Sequence, residues 1–150
     1  MESDGLELPK KIPTSIITGF LGSGKTTILN DIINYREFKN TLLIINEFGK
    51  ISIDHHLIKK KSDDKIVLNN GCLCCSFSGD LVKTLDDALK LKKKFDRIII
   101  ETSGLADPVP IVQTIVSDQL ISEKIKFKSL ITVVDTVNFQ NDLHNHLENF

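Results

Sequence analysis

The sequence predicts an α/β fold of three layers, with helices covering both faces of a mainly parallel sheet. Three observations predict it. Short apolar runs such as 41-TLLIIN-46 and 97-RIIIE-101 carry little polar alternation, as expected of strands buried on both faces. Amphipathic stretches at helical spacing alternate with these runs. A glycine-rich turn, 19-GFLGSGKT-26, joins the first run to the first amphipathic stretch.

The elements follow in order. Residues 1–11, MESDGLELPKK, read as a flexible polar tail ahead of one domain spanning 12–150. The β-branched run 12-IPTSIIT-18 predicts a buried strand. In 25-KTTILNDIINY-35, Ile28, Leu29, Ile32 and Ile33 form one helical stripe. The run 41–46 predicts a second strand, 57-LIKKKSDDK-65 a polar surface loop, and 66-IVLN-69 a short strand. Asp80 is placed to cap a helix over 80–94, with Leu81, Leu85, Ala88 and Leu89 on its apolar side. Strand 97–101, helix 109–121 with Pro110 in its first turn, and strand 129-SLITVVD-135 complete the set. Open sheets of this type often exceed these five strands, so the 12–150 domain is expected to be truncated.

Composition excludes several classes. Apolar residues make up 41% and charged residues 26%, and the formal net charge is −1. The lysine runs 59–61 and 92–94 are offset by acids, so no nucleic-acid footprint is predicted. No apolar run approaches a bilayer span, and the acidic N-terminus is no secretory signal, so no membrane partner is predicted. The cysteines number three, an odd and local count that does not suit a disulfide framework, and a reducing compartment, the cytoplasm or the nucleus, is predicted.

The turn 19-GFLGSGKT-26 fits G-x-x-x-x-G-K-[ST] without mismatch, between a predicted strand and a predicted helix. That is the pattern of a P-loop NTPase. Gly19, Gly22, Ser23 and Gly24 shape a backbone cradle whose N–H groups face phosphate oxygens. The new helix adds its positive end. Lys25 reaches the β- and γ-phosphates, Thr26 offers its hydroxyl to Mg²⁺, and Thr27 touches the α-phosphate. Glu101 ends a buried strand, where ligands bind in open α/β sheets, and is the candidate acid of the Mg²⁺ shell. Gly104 is placed to sense the γ-phosphate through its N–H. After the second strand, Asn46 or Glu47 is a candidate to position water or the Mg²⁺ shell. The chain has two arginines, Arg36 near a helix end and Arg97 at a strand start, and neither makes a good arginine finger. Unaided hydrolysis is therefore expected to be slow, and to be sped by a partner or a homodimer.

Every cysteine falls in 70-NGCLCCSFSGD-80. Cys72, Cys74 and Cys75 can offer three thiolates to one Zn²⁺, leaving a fourth position for water, His55, His56 or a partner's ligand. Asn69, Asn70 and Gly71 would let the segment curl around an ion. Buried structural cysteines, or a redox pair of Cys72 with Cys75, are the alternatives. His144 and His146 read as solvated tail residues.

Taken together and in order, GFLGSGKTT, NEFG, GCLCC and ETSGLADP resemble the CobW-type metallochaperone GTPases, relatives of the urease and hydrogenase nickel-insertion GTPases. The resemblance covers roughly residues 12–139. It implies GTP hydrolysis, zinc or cobalt at Cys72, Cys74 and Cys75, and delivery to a client metalloprotein. Lys50 stands where the family usually has glutamate after NEFG. The guanine-reading N-K-x-D motif and the smaller C-terminal domain lie beyond these residues in relatives. The N-terminal Cys-Pro docking motif of members acting on a methionine aminopeptidase is not in the tail. Two rivals remain: a P-loop ATPase or kinase with structural cysteines, and a non-enzymatic nucleotide-gated metal buffer.

Overall fold

The computed structural model describes residues 10–45, 58–62, 65–68, 73–76, 81–91, 94–104 and 106–138, the three segments between 58 and 76 by their backbone. In chain order the elements are β1 (Ile12–Thr18), α1 (Lys25–Ile32), a 3₁₀ turn (Arg36–Phe38), β2 (Thr41–Ile45), β3 (Ile58–Ser62), β4 (Lys65–Leu68), β5 (Leu73–Ser76), α2 (Leu81–Leu89), β6 (Arg97–Glu101), α3 (Val109–Ser117), α4 (Gln119–Ser122) and β7 (Ile125–Thr132). The seven strands form one sheet in the order β3-β4-β5-β2-β6-β1-β7. From β5 to β7 every pairing is parallel, while β3, β4 and β5 pair antiparallel.

The alternation of side chains along the central strands builds the three layers. Ile16, Leu42, Ile44, Ile98 and Ile100 pack on one side with Leu81, Leu85, Ala88, Ile111, Ile115 and Ile121 of α2, α3 and α4. Ile17, Leu43, Ile45 and Ile99 pack on the other side with Leu29 and Ile33 from α1 and its C-cap. This two-sided burial explains why β2, buried at every position, shows no polar alternation.

Several sequence-based boundaries move. The lysine-rich stretch expected to be a loop forms β3 and the start of β4, in register Ile58↔Leu68 and Lys61↔Ile66. A charge run reads as loop, but β3 is a sheet edge, where lysines discourage pairing with other chains. Leu73–Ser76 of the cysteine segment forms β5 between β2 and β4, while Asn69, Asn70 and Gly71, expected to let the segment curl, lie outside the described residues. A fully buried β2 needs hydrogen-bonding neighbours on both sides, and β5 supplies the second.

The helix expected over 25–35 closes at Ile32 with Ile33 as its C-cap and passes into the 3₁₀ turn. The helix expected over 80–94 spans Leu81–Leu89, because Phe95 turns back into the core. Asp80 lies outside the described residues. The helix expected over 109–121 breaks at Asp118, whose extended backbone and side chain, accepting from Ile121 N at 3.0 Å, start α4 anew. The last strand lies earlier than expected, over 125–132. Lys126 and Lys128 obscure its start in the sequence, and an edge strand leaves them exposed.

Candidate nucleotide-binding site

The site forms at the carboxyl ends of the parallel strands, where β1 hands over to α1. Gly22 and Gly24 have φ of 76° and 92°, a left-handed backbone that favours glycine. An added Cβ would meet nothing within 4 Å at either, so they are required for conformation. Gly19 is required for space, since a Cβ there would lie 2.2 Å from Val133 O at the end of β7. The turn closes through Ser23 N to Phe20 O at 3.2 Å. Gly24 caps α1 without a side-chain bond, and no acid occupies the first turn. The leading N–H groups of α1 thus face the cradle with no acid from their own turn, while the Glu101 carboxylate meets Thr26 at its edge. Ser23 Oγ is buried there with no hydrogen-bond partner among the described residues, an atom suited to a phosphate oxygen.

Lys25 is buried, and its Nζ donates to Gly19 O at 2.7 Å and Phe20 O at 2.9 Å. Its charge is therefore held against the inner rim of the loop. Thr26 Oγ1 donates to Glu101 Oε1 at 2.9 Å across 75 residues of chain. Glu101 is buried at 5% exposure and stands in register with Ile17 on β1 and Ile45 on β2. A hydroxyl and a buried carboxylate in contact are hard oxygen donors, and Mg²⁺ takes such a set beside phosphates. Thr27 follows on the exposed side of the first turn of α1.

Beyond Glu101 the chain stays against the loop. Thr102 N donates to Ile17 O at 3.0 Å, and Thr102 Oγ1 donates to Thr18 Oγ1 at 2.9 Å. A Cβ on Gly104 would lie 2.5 Å from Leu21 N and 2.8 Å from Leu21 Cα, so this segment rests directly on the loop backbone. At the end of β7, Asp135 accepts from Val137 N at 2.9 Å and from Asn138 Nδ2 at 2.7 Å. The Asn138 side chain, then the amides of Asn138 and Val137, hold the Asp135 carboxyl below its usual range.

The structure thus brings Gly19, Gly22, Ser23, Gly24, Lys25, Thr26, Glu101 and Gly104 to one end of the sheet. Glu47 and Cys72 lie outside the described residues, as do His55 and His56. Cys74 and Cys75 stand on β5, in register with Leu43 and Ile44 of β2. Arg97 lies at the opposite end of β6 from Glu101, its guanidinium 4.8 Å above the Phe38 ring. Sequence reasoning missed Thr18, Thr102 and Leu21. A threonine at a strand end is an ordinary β-former, and only the fold sets the two hydroxyls face to face.

A family model described as "CobW/HypB/UreG, nucleotide-binding domain" matches residues 13–149. The chain belongs to this family. Among similar proteins, the zinc chaperone YjiA of Escherichia coli (strain K12) is 40% identical over 131 residues, covering 85% of this chain and 41% of that protein. The zinc chaperone CobW of Sinorhizobium sp is 40% identical over 132 residues, covering 84% and 37%. A zinc-regulated GTPase metalloprotein activator 1 of Schizosaccharomyces pombe is 34% identical over 138 residues, covering 88% and 34%. The crystal structure of Zn(II)-bound YjiA GTPase from E. coli superposes with a TM-score of 0.67 at 37% identity, covering 91% of this chain and 44% of that one. A zinc-bound triple mutant of the same GTPase, with one glutamate and two adjacent cysteines changed to alanine, gives 0.68 at 36% identity over 91% and 44%. This member of the CobW/HypB/UreG family therefore spans about two fifths of the YjiA length. No helix among the described residues is long and apolar enough to cross a membrane.

Proposed function

We propose that the protein built on this chain is an Mg²⁺-dependent GTPase that couples its nucleotide state to zinc held by Cys72, Cys74 and Cys75, and delivers that metal to a client metalloprotein. The relatives' names, zinc chaperone and zinc-regulated GTPase metalloprotein activator, support the reading. The observation that carries it is the placement of β2. This strand lies between β6, which ends at Glu101, and β5, which bears Cys74 and Cys75. Two strand spacings, about 10 Å, separate β5 from β6. Asn46 and Glu47 follow β2 directly.

In this reading Lys25 binds the β- and γ-phosphates, and the backbone of Gly19, Gly22, Ser23 and Gly24 cradles them. Thr27 touches the α-phosphate, and the Gly104 N–H meets the γ-phosphate. Thr26 and Glu101 would hold Mg²⁺, which spreads negative charge off the phosphates. Glu47 orients the attacking water. Three thiolates suit zinc, and cobalt is accessible to the same set. Cys74 and Cys75 pair with Leu43 and Ile44, successive positions that belong to opposite layers, so in this reading the end of β5 leaves its ladder when the three meet on one ion. Water, His55, His56 or a client's ligand fills the fourth position, so the ion is not fully caged and can be passed on. Residues 1–11 are a tail on a GTPase domain spanning 12–150, which acts in the cytoplasm, as a monomer or homodimer.

The test is a zinc titration of the full-length protein against a chelator, with and without GTP–Mg²⁺, on wild type and Cys74→Ala. A zinc-bound form exists of the YjiA variant lacking two adjacent cysteines, so total zinc content is a poor readout. The nucleotide-dependent part of the affinity is the measurement. It is expected in wild type and lost in Cys74→Ala. Zinc affinity unmoved by nucleotide in wild type would refute the coupling, and stronger binding of ATP than of GTP would refute the substrate.

A further inference from the structure

Between Glu101 and Gly104 lies a polar residue with no part in the chemistry above. Thr102 is only 1% exposed, and its hydroxyl donates to Thr18 Oγ1 at 2.9 Å. Thr18 is the last residue of β1, next to Gly19. The paired ladder of β1 and β6 ends one step earlier, at Ile17↔Glu101. Past that point the two chains diverge, β1 into the phosphate loop and β6 into residues 102–104. The Thr102 N–Ile17 O bond and the hydroxyl pair hold them together at the base, and the packing of Gly104 on the Leu21 backbone does so at the tip.

We propose that Thr102 is a positioning residue, and that the Thr18–Thr102 hydroxyl bond fixes Glu101 relative to the phosphate loop so that Glu101 and Thr26 converge on one divalent cation. The inference rests on the nucleotide–Mg²⁺ reading of the site. Its physical basis is the short span between the bond and the acid. Thr102 is the next residue after Glu101, and the Thr26–Glu101 contact at 2.9 Å tolerates little displacement. Valine at 102 would fill nearly the same volume but could not bond to the Thr18 hydroxyl, so the buried Thr102 position would lose its side-chain tie to the half-buried Thr18. Backbone strain has no part in the choice, since neither threonine is among the residues with positive φ.

The experiment measures the affinity of the full-length protein for a fluorescent GTP analogue, first in EDTA and then at rising Mg²⁺. Wild type, Thr102→Val, Thr102→Ser, Thr18→Val and the double valine variant are compared. In EDTA all are expected to bind within about twofold of one another, because the cradle is untouched. The gain in affinity on adding Mg²⁺ is expected to fall about five- to tenfold in each valine variant, on the scale of losses from sub-ångström misplacement. Thr102→Ser should keep the gain. The double variant should be no worse than either single one, as for two partners in one bond. A full Mg²⁺ gain in Thr102→Val, an equal loss in Thr102→Ser, or additive losses in the double variant would overturn the inference. If wild type prefers ATP, the proposed substrate fails, while the same Mg²⁺ gain with an ATP analogue still decides the role of Thr102. A wild type that binds neither nucleotide overturns both.

Discussion

Replacing Gly104 with alanine adds one methyl group at the tightest contact of the site. The new Cβ would stand 2.5 Å from Leu21 N, 2.8 Å from Leu21 Cα and 2.9 Å from Leu21 Cγ. Ordinary contact begins near 3.4 Å, so about 0.9 Å of separation must be found. Two of the three obstructing atoms are backbone, so turning the Leu21 side chain cannot supply it. Either the phosphate loop or the 101–104 segment must move. Overpacking of this kind costs about 1–3 kcal/mol, and a shift near 1 Å at a catalytic group can cost on the order of 10²-fold in rate. Gly104→Ala in the full-length protein is expected to lower kcat for GTP by about one to two orders of magnitude and to lower Tm by a few degrees. Steady-state phosphate release and thermal melting read the two effects. A variant with wild-type kcat and Tm would refute the contact.

Lys25→Ala removes the cation at the loop rim and should weaken GTP binding by about 10–100-fold, the range for a lost charged hydrogen bond, in a fluorescent-analogue titration. Ile100 is fully buried beneath α2 and α3, so Ile100→Ala should cost about 2–5 kcal/mol in urea unfolding. The Asp86 carboxyl sits below its ordinary value of 3.8, through Lys124 first and Lys90 second. Its contribution to stability is in place above that value and fades as pH falls below it. The raised Lys90, paired with Asp86, contributes below its ordinary value of 10.5 and fades as pH rises past it. Asp86→Asn should therefore flatten both limbs of the Tm–pH profile, with the smaller slopes seen below about pH 4 and above about pH 10. Single-turnover hydrolysis by the isolated monomer is expected to be slow, since the Arg97 guanidinium is stacked on Phe38 away from Glu101, and a fast rate would contradict this.

The phosphate loop was legible because each residue type in it answers a local need. A left-handed turn favours glycine, a phosphate favours lysine, and both needs are written in adjacent letters. Glu101 was legible as an acid ending an apolar run. What the sequence hid lies between distant residues. The Thr18–Thr102 bond and the seating of Gly104 on Leu21 each join segments more than 80 residues apart. The same limit blurred the sheet. The lysines at 59–61 and Lys126 and Lys128 look like loop until the strand order puts β3 and β7 at the two edges of the sheet formed by the described residues. Asp118 passed for a helical residue because capping depends on the backbone angle of that residue, not its identity alone.

The placement of β5 bears on how a metal could leave. Cys74 and Cys75 sit on an interior strand, laced to β2 on one side and β4 on the other. A board nailed between two others cannot flip up by itself. Under the proposed reading, cargo release at these positions works by sliding several boards together or by opening the end of the strand. Backbone amides of Leu73, Cys74 and Cys75 should accordingly exchange with deuterium slowly while this ladder is closed, and faster in a state that opens it.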